Sequence, residues 1–113
     1  MRTLTLLLLF VSALAYADKS ERDYQDEWCQ GEKEHGLSDR TRVDCLTDTH
    51  AIEIEFANKW KEAIGQSLHY SLMTGKKAGI VLILRKPSDI KYTSYLNKVI
   101  EANELSIKVM TIE

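Results

Sequence analysis

Hydrophobic and polar residues alternate with clear periods along the chain, and these periods predict an α/β fold. The clearest strand is residues 50–56, in which apolar side chains alternate with Glu53 and Glu55. Residues 79–84 form an unbroken apolar run, which is typical of a central strand covered on both faces. Weaker alternation predicts three more strands, over residues 33–37, 41–47 and 106–112.

Apolar residues at helical spacing predict three helices around these strands. Asn58 is a suitable N-cap for the second helix, and Gly75 closes it. The predicted helices cover residues 24–30, 59–73 and 87–103. The element order is then α-β-β-β-α-β-α-β, and a strand, a crossover helix and a buried strand in succession predict a mixed sheet of four to five strands flanked by helices.

The first 17 residues differ from the rest of the chain. Arg2 precedes an apolar run at residues 6–11, and residues 15–17 (Ala-Tyr-Ala) have the small-x-small form of a signal-peptidase site. The run is too short for a membrane helix, which needs about 20 apolar residues. We therefore expect a cleaved signal peptide at residues 1–17, a single domain at residues 18–113, no membrane anchor after cleavage, and a periplasmic or secreted location.

Composition and charge narrow the class of protein. With 113 residues, 28% of them charged, and one proline, the chain is neither collagen-like nor of low complexity. Residues 18–56 carry 12 acidic and 5 basic side chains, whereas residues 57–113 carry 5 acidic and 9 basic ones. This division does not indicate a uniformly basic nucleic-acid binder, but it is compatible with a cation at one end and an anionic ligand at the other.

The two cysteines, Cys29 and Cys45, suggest a disulfide bond. In an exported protein this bond would close a loop of about 17 residues and stabilise the fold by about 3 kcal/mol. The alternative is a pair of buried free thiols. A zinc site is not expected, because there is no second cysteine pair and the three histidines lack the spacing of zinc ligands.

Pairing of the second and third predicted strands through a two-residue turn would fix which side chains face each other. Such a hairpin keeps the apolar residues of both strands on one face and the charged residues on the other. The opposed pairs are Val43–Ile54 and Cys45–Ile52 on the apolar face, and Asp44–Glu53 and Arg42–Glu55 on the polar face.

In this register Asp44, Glu53 and Glu55 share one patch. Opposed side chains have Cβ atoms about 4.5–5.5 Å apart, so Asp44 and Glu53 would repel unless a cation or a proton lay between them. Mg²⁺ or Mn²⁺ suits such oxygen ligands and leaves positions for water and substrate phosphates. The alternative is a solvated strand face, on which Arg42 pairs with Glu55.

Three motifs follow one another along these elements. The second predicted strand carries Asp44, the third carries Glu53-Ile54-Glu55, and the next helix carries Gln66 and Tyr70 as Q-x-x-x-Y. This order resembles the PD-(D/E)XK, or restriction-endonuclease-like, nuclease superfamily. That superfamily has an αβββαβ core, an acidic residue on the second core strand, an acidic-x-lysine motif on the third and, in one branch, Q-x-x-x-Y on the following helix.

The resemblance covers residues 34–84 and implies a metal-dependent phosphodiesterase, or nuclease, acting on nucleic acid. It implies that Asp44 and Glu53 would ligate Mg²⁺ or Mn²⁺, with the carbonyl of Ile54 in support. Glu34 is similar in position to an additional glutamate that some members carry near the N-terminus.

The other implied roles concern catalysis and substrate contact. Glu55 stands where the family usually has lysine, although some members also have E-x-E. Lys59, at the start of the helix, could return an ammonium group to the site. Gln66 and Tyr70, four residues apart on one helix face, would lie near the substrate strand. The alternative for these last three residues is an ordinary helix surface.

Two further functions fit the residues. The chain could be a non-catalytic binding or accessory protein that keeps the nuclease fold, because glutamate cannot replace a lysine that stabilises charge in the transition state. It could also be an interaction module with a basic docking face, made of Lys76, Lys77, Arg85, Lys86 and Lys91. No oligomeric state is predicted.

Overall fold

The computed structural model describes residues 18–113 and shows an α/β fold with three helices and five strands. The helices are α1 (Glu21–Trp28), α2 (Trp60–Thr74) and α3 (Ile90–Ala102). The strands are β1 (Glu32–Gly36), β2 (Arg42–Leu46), β3 (His50–Phe56), β4 (Lys77–Ile83) and β5 (Ile107–Ile112). The predicted signal peptide lies outside the described residues, and no helix among the described residues is long and apolar enough to cross a membrane.

The five strands form one mixed sheet in the order β1-β2-β3-β4-β5. The first three strands make an antiparallel meander, and β3, β4 and β5 run parallel to one another. Parallel neighbours need a crossover connection, which α2 supplies between β3 and β4 and α3 between β4 and β5. The predicted element order and the predicted mixed sheet with flanking helices are confirmed.

Helices cover both faces of the central strands. On one face, Tyr24 and Trp28 of α1 pack against the cluster that contains Ile52, Ile54 and Val81. On the other face, Ala63 of α2 and Leu96 of α3 pack with Ile80 and Leu82 of β4. Strand β4 is buried on both sides along nearly all of its length, as its apolar run predicts.

A disulfide bond joins the end of α1 to β2. It links Cys29 and Cys45, whose Cα atoms are 5.7 Å apart, and both residues are buried. The predicted bridge is confirmed, and the alternative of two free thiols is wrong. The bond holds α1, which has only eight residues, against the antiparallel part of the sheet.

Candidate functional site

The β2 and β3 strands separate at Asp44, and this separation creates the candidate site. The strands pair only at Cys45–Ile52 and Leu46–Ala51. Beyond these pairs, the backbone N–H of Ile54 donates to the Asp44 carboxylate at 2.8 Å, and the Asp44 carbonyl accepts from Gln25 Nε2 of α1 at 2.5 Å. Side chains therefore replace the missing main-chain partners.

The predicted hairpin register is correct where the strands pair and wrong beyond Asp44. Val43 packs with Ala51 and Tyr70 instead of opposing Ile54, and Arg42 is exposed, with no ion pair to Glu55 among the described residues. Cys45 and Val43 belong to different apolar clusters, so the side-chain alternation of β2 is interrupted at Asp44. Opposite Asp44 on β1, Glu34 adopts a left-handed backbone conformation with φ 51°, between the regular pairs Lys33–Cys45 and His35–Val43.

The carboxyl groups of β3 are buried, so the alternative of a solvated strand face is wrong. Glu53 is 3% exposed and Glu55 is 7% exposed. The carboxyl group of Glu53 lies within hydrogen-bonding reach of both Asp44 and Glu55. The three carboxyl groups therefore meet, as the sequence predicts, although they do so inside the protein.

Two side chains of α2 face Glu53 from the other direction. With the Gln66 amide oriented to donate, its nitrogen lies 2.7 Å and 2.8 Å from the two carboxyl oxygens of Glu53. Tyr70 is buried near Glu53, and burial followed by the charge of Glu53 raises the pKa of its hydroxyl. Gln66 thus positions Glu53 in this structure, and the predicted contact of Gln66 and Tyr70 with substrate stays a prediction.

Burial and mutual repulsion favour protons on these acids in the metal-free protein. Burial, followed by the adjacent Asp44 carboxylate, raises the pKa of Glu53 far above its usual range. Burial also raises the pKa of Asp44, although the Ile54 N–H opposes this shift. A proton held between Asp44 and Glu53 therefore takes the position in which the sequence predicts a cation.

Two further charged side chains, Glu21 and Lys59, lie near Glu55. Burial and the neighbouring Glu21 carboxylate raise the pKa of Glu55 to about 7. Lys59 Nζ lies 3.2 Å from Glu21 Oε1, and this pairing raises the pKa of Lys59. One oxygen of Glu55, Oε2, is buried without a hydrogen-bond partner among the described residues. The predicted ammonium group is therefore near the acids, but it is paired through Glu21.

The donor set fits a hard cation held by few protein ligands. The acids supply carboxylate oxygens, and Glu55 adds a buried oxygen with no partner. Among residues 18–113, no group of three or more Asp, Glu, His or Cys side chains has the mutual arrangement of a metal site. Carboxylate oxygens are the ligand type that Mg²⁺ prefers, so the residues present match the chemistry of this ion without forming a ready-made site.

A cavity of about 220 Å³ connects Asp44 to the surface. Its lining residues come from α1, β1, β2 and β3, and they are Glu21, Arg22, Gln25, Glu34, Asp44 and Ile54. The predicted helix starts at residue 24 and therefore leaves out Glu21 and Arg22, whereas Gln25 falls inside it but is not among the predicted site residues. Ser20 and Asp23 form a capping box at the true helix start, and the S-x-x-D pattern of that box was a usable signal.

The predicted basic docking face is not brought together. Lys76 and Lys77 lie before and at the start of β4, whereas Arg85 and Lys86 follow its end. Seven strand residues separate these groups by about 20 Å. Lys76 donates to the Asp48 carbonyl at 2.9 Å. Lys91 lies in the first turn of α3, which follows Lys86, so the five predicted cations divide between the two ends of β4.

Comparisons of the chain with protein-family models, with curated proteins and with solved structures gave no significant match.

The raised pKa of Glu55 predicts an unusual dependence of stability on pH. An acid whose pKa is higher in the folded than in the unfolded chain stabilises the fold fully below its unfolded pKa, and this contribution is lost as pH rises through the folded pKa, here about 7. We expect the free energy of unfolding of the metal-free protein to fall by about 1–3 kcal/mol between about pH 5 and pH 8. Urea unfolding at constant ionic strength measures this change.

A pair of glutamine variants assigns the slope. Glu55→Gln removes one of the titrating acids and should make the fall in stability between about pH 5 and pH 8 smaller, with the remaining fall due to Glu53 and Asp44. Glu62→Gln, on the exposed side of α2, should leave the pH dependence as in the wild type. An unchanged slope in Glu55→Gln would contradict the assignment to this residue.

Proposed function

We propose that the protein is an exported, Mg²⁺-dependent phosphodiesterase, or nuclease, that acts on nucleic acid. The observation that carries the proposal is the meeting of Asp44, Glu53 and Glu55 at the point where β2 and β3 separate. Buried acids in contact destabilise a protein, so their presence in a small domain favours a functional reason. The element order, with α1 before a three-strand meander, a crossover helix and a parallel strand, supports a restriction-endonuclease-like core.

The proposed roles follow from what each side chain touches. Asp44 and Glu53 would hold Mg²⁺ or Mn²⁺, which when bound polarises the phosphodiester and lowers the pKa of a bound water. Gln66 fixes the carboxyl group of Glu53 through its amide N–H groups. Tyr70 lies buried near Glu53 and helps to keep this side of the carboxyl group away from water.

Lys59 and Glu55 act beside this pair. The Lys59 ammonium is exposed at the helix start and supplies positive charge near the reacting phosphate, where charge develops in the transition state. Glu55, with a pKa of about 7, is suited to accept a proton from the attacking water near neutral pH.

The disulfide bond supports an exported location. Bonds of this kind persist in oxidising compartments and are rare in the cytosol. A periplasmic or secreted protein, released by cleavage after residue 17, is therefore part of the proposal.

The contacts that Asp44 and Lys59 make within the protein favour a second candidate function, that of a non-catalytic binding protein. Asp44 already accepts the Ile54 N–H, and Lys59 is already paired with Glu21. A cluster satisfied in this way suits a non-catalytic protein that binds nucleic acid or a cation without turnover. Glu55, in place of the usual lysine, points in the same direction.

Cleavage assays with one matched pair of variants test the proposal. Single-stranded and double-stranded DNA, and RNA, are incubated with Mg²⁺ and wild type, Asp44→Asn or Asp48→Asn. Asn at position 44 can still accept the Ile54 N–H, so the fold should persist, while the rate should fall by about 10³-fold. Asp48 is exposed in the β2–β3 turn, and its variant should cleave like the wild type.

Each outcome decides between the two functions. Cleavage that survives Asp44→Asn would overturn the assignment of the site. A wild type that raises its melting temperature with Mg²⁺, yet cleaves none of the substrates, would favour the non-catalytic binding protein.

A further inference from the structure

We call Asp44, Glu53 and Glu55 the carboxyl centre. The entrance to this centre contains one arginine that has no role in the proposed chemistry. Arg22, in the first turn of α1, lines the cavity of about 220 Å³ that reaches Asp44. Among the residues that line this cavity it is the only basic one. Its Nη2 atom lies 2.7 Å from Glu34 Oε1 across the entrance, and the Arg22 side chain is 62% exposed.

The partner of this arginine is held by an uncommon backbone. Glu34 has φ 51°, in the left-handed region that residues with a Cβ atom rarely adopt, and it lies on β1 at the level of Asp44. An exposed ion pair contributes little to stability, so the pair with Arg22 does not by itself explain the strain. Strained backbone residues cluster at active sites and ligand-binding sites, so the position of Glu34 beside this cavity favours a functional role.

The cavity is lined mainly by acidic side chains, and Arg22 is the group in this lining that can bind a phosphate. Glu21, Glu34 and Asp44 are acidic, so the metal-free entrance repels an anion such as a phosphodiester. A guanidinium group matches the geometry of a phosphate and binds it through two parallel N–H donors. Arg22 is exposed, and its ion pair with the Glu34 carboxylate contributes little to stability. Exchange of this carboxylate for a phosphate therefore costs little free energy.

We propose that Arg22 binds a backbone phosphate of the substrate strand, and that Glu34 occupies Arg22 until the strand arrives. This inference rests on the proposed function and adds to it a substrate-binding residue that acts beside the carboxyl centre. The strand would enter over the first turn of α1, with one phosphate on Arg22 and a neighbouring phosphate toward Asp44. In the free protein Glu34 competes with the substrate for the guanidinium group.

Two explanations of the Arg22–Glu34 pair can be distinguished by removing each residue in turn. Either Glu34 competes with phosphate for Arg22, or the pair only joins α1 to β1. If Arg22 and Glu34 only tie α1 to β1, removing either one should have the same effect on substrate binding. If Glu34 competes with phosphate, removing it should strengthen binding, whereas removing Arg22 should weaken it. The double variant should then bind like Arg22→Ala alone, since the competitor matters only while the arginine is present.

Binding of a fluorescein-labelled single-stranded oligodeoxynucleotide, followed by anisotropy with Ca²⁺ in place of Mg²⁺, makes this comparison without turnover. We expect Arg22→Ala to raise the Kd by about tenfold, which corresponds to the loss of one charge-assisted contact. Glu34→Gln should lower the Kd by about two- to threefold. Lys98→Ala removes an exposed charge on α3, on the opposite face of the sheet from α1, and should leave the Kd unchanged.

The outcomes separate this inference from the proposed function. A wild type that binds and cleaves the strand, with an Arg22→Ala variant of unchanged Kd, overturns the inference alone. Equal weakening by Arg22→Ala and Glu34→Gln also overturns it, because that result describes a structural tie. A wild type that neither binds nor cleaves the strand overturns the inference together with the proposed function.

Discussion

Replacing Glu53 with glutamine is expected to stabilise the metal-free protein and to abolish its Mg²⁺-dependent activity. Glutamine has nearly the same shape as a protonated glutamic acid, can donate an N–H to Asp44, and carries no proton that must be retained above its ordinary pKa. We expect the free energy of unfolding to rise by about 2 kcal/mol at about pH 8. Cleavage should fall by at least about 10³-fold because a metal-binding carboxylate is lost.

Thermal unfolding without metal and cleavage with Mg²⁺ measure the two effects in the same preparation. Glu62→Gln, an exposed substitution of the same kind on α2, should change neither quantity. A destabilised Glu53→Gln protein would contradict the buried, repelling acid pair. A stable variant with full activity would instead remove Glu53 from the catalytic centre.

Loss of the Cys29–Cys45 bond is expected to destabilise the protein by about 3 kcal/mol, which is a large fraction of the stability of a small domain. The bond lowers the conformational entropy of the unfolded chain. It also places α1, which contributes Gln25 and Glu21 to the site, against β2. Cys29→Ser combined with Cys45→Ser should therefore lower both the urea midpoint and the rate of cleavage.

A reductant provides the matched control for this variant. Wild type unfolded in the presence of dithiothreitol should show the same lowered midpoint as the double variant, and the double variant should not respond to the reductant. If the midpoint of the double variant equals that of the oxidised wild type, the bond does not stabilise the fold.

Periodic patterns in the sequence predict the elements well because those patterns directly encode burial. The alternation at residues 50–56 predicts β3 with its exact bounds, and the apolar run at residues 79–84 predicts β4 to within two residues at each end. The pairing of Cys45 with Ile52 also follows from the pattern, since only this register keeps apolar residues on one face.

The interior of the candidate site could not be predicted from the same patterns. Alternating Glu53 and Glu55 are typical of a solvated strand face, but α2 covers that face and buries both acids. The separation of β2 and β3 coincides with the left-handed backbone of Glu34 and with the hydrogen bond from Gln25 to the Asp44 carbonyl, and neither feature has a local sequence signal. Spacing along the chain thus predicts which residues meet, but not how deeply they are buried.

The two ends of α1 are attached to the rest of the protein in different ways. Its last turn is fixed by the covalent bond to β2, whereas its first turn is held to neighbouring elements by the exposed pairs Arg22–Glu34 and Lys59–Glu21. Mobile ions screen exposed pairs at ordinary ionic strength and leave a covalent bond untouched. Salt therefore weakens only the contacts at the end of the helix that borders the carboxyl groups, and it leaves the attachment of the other end unchanged.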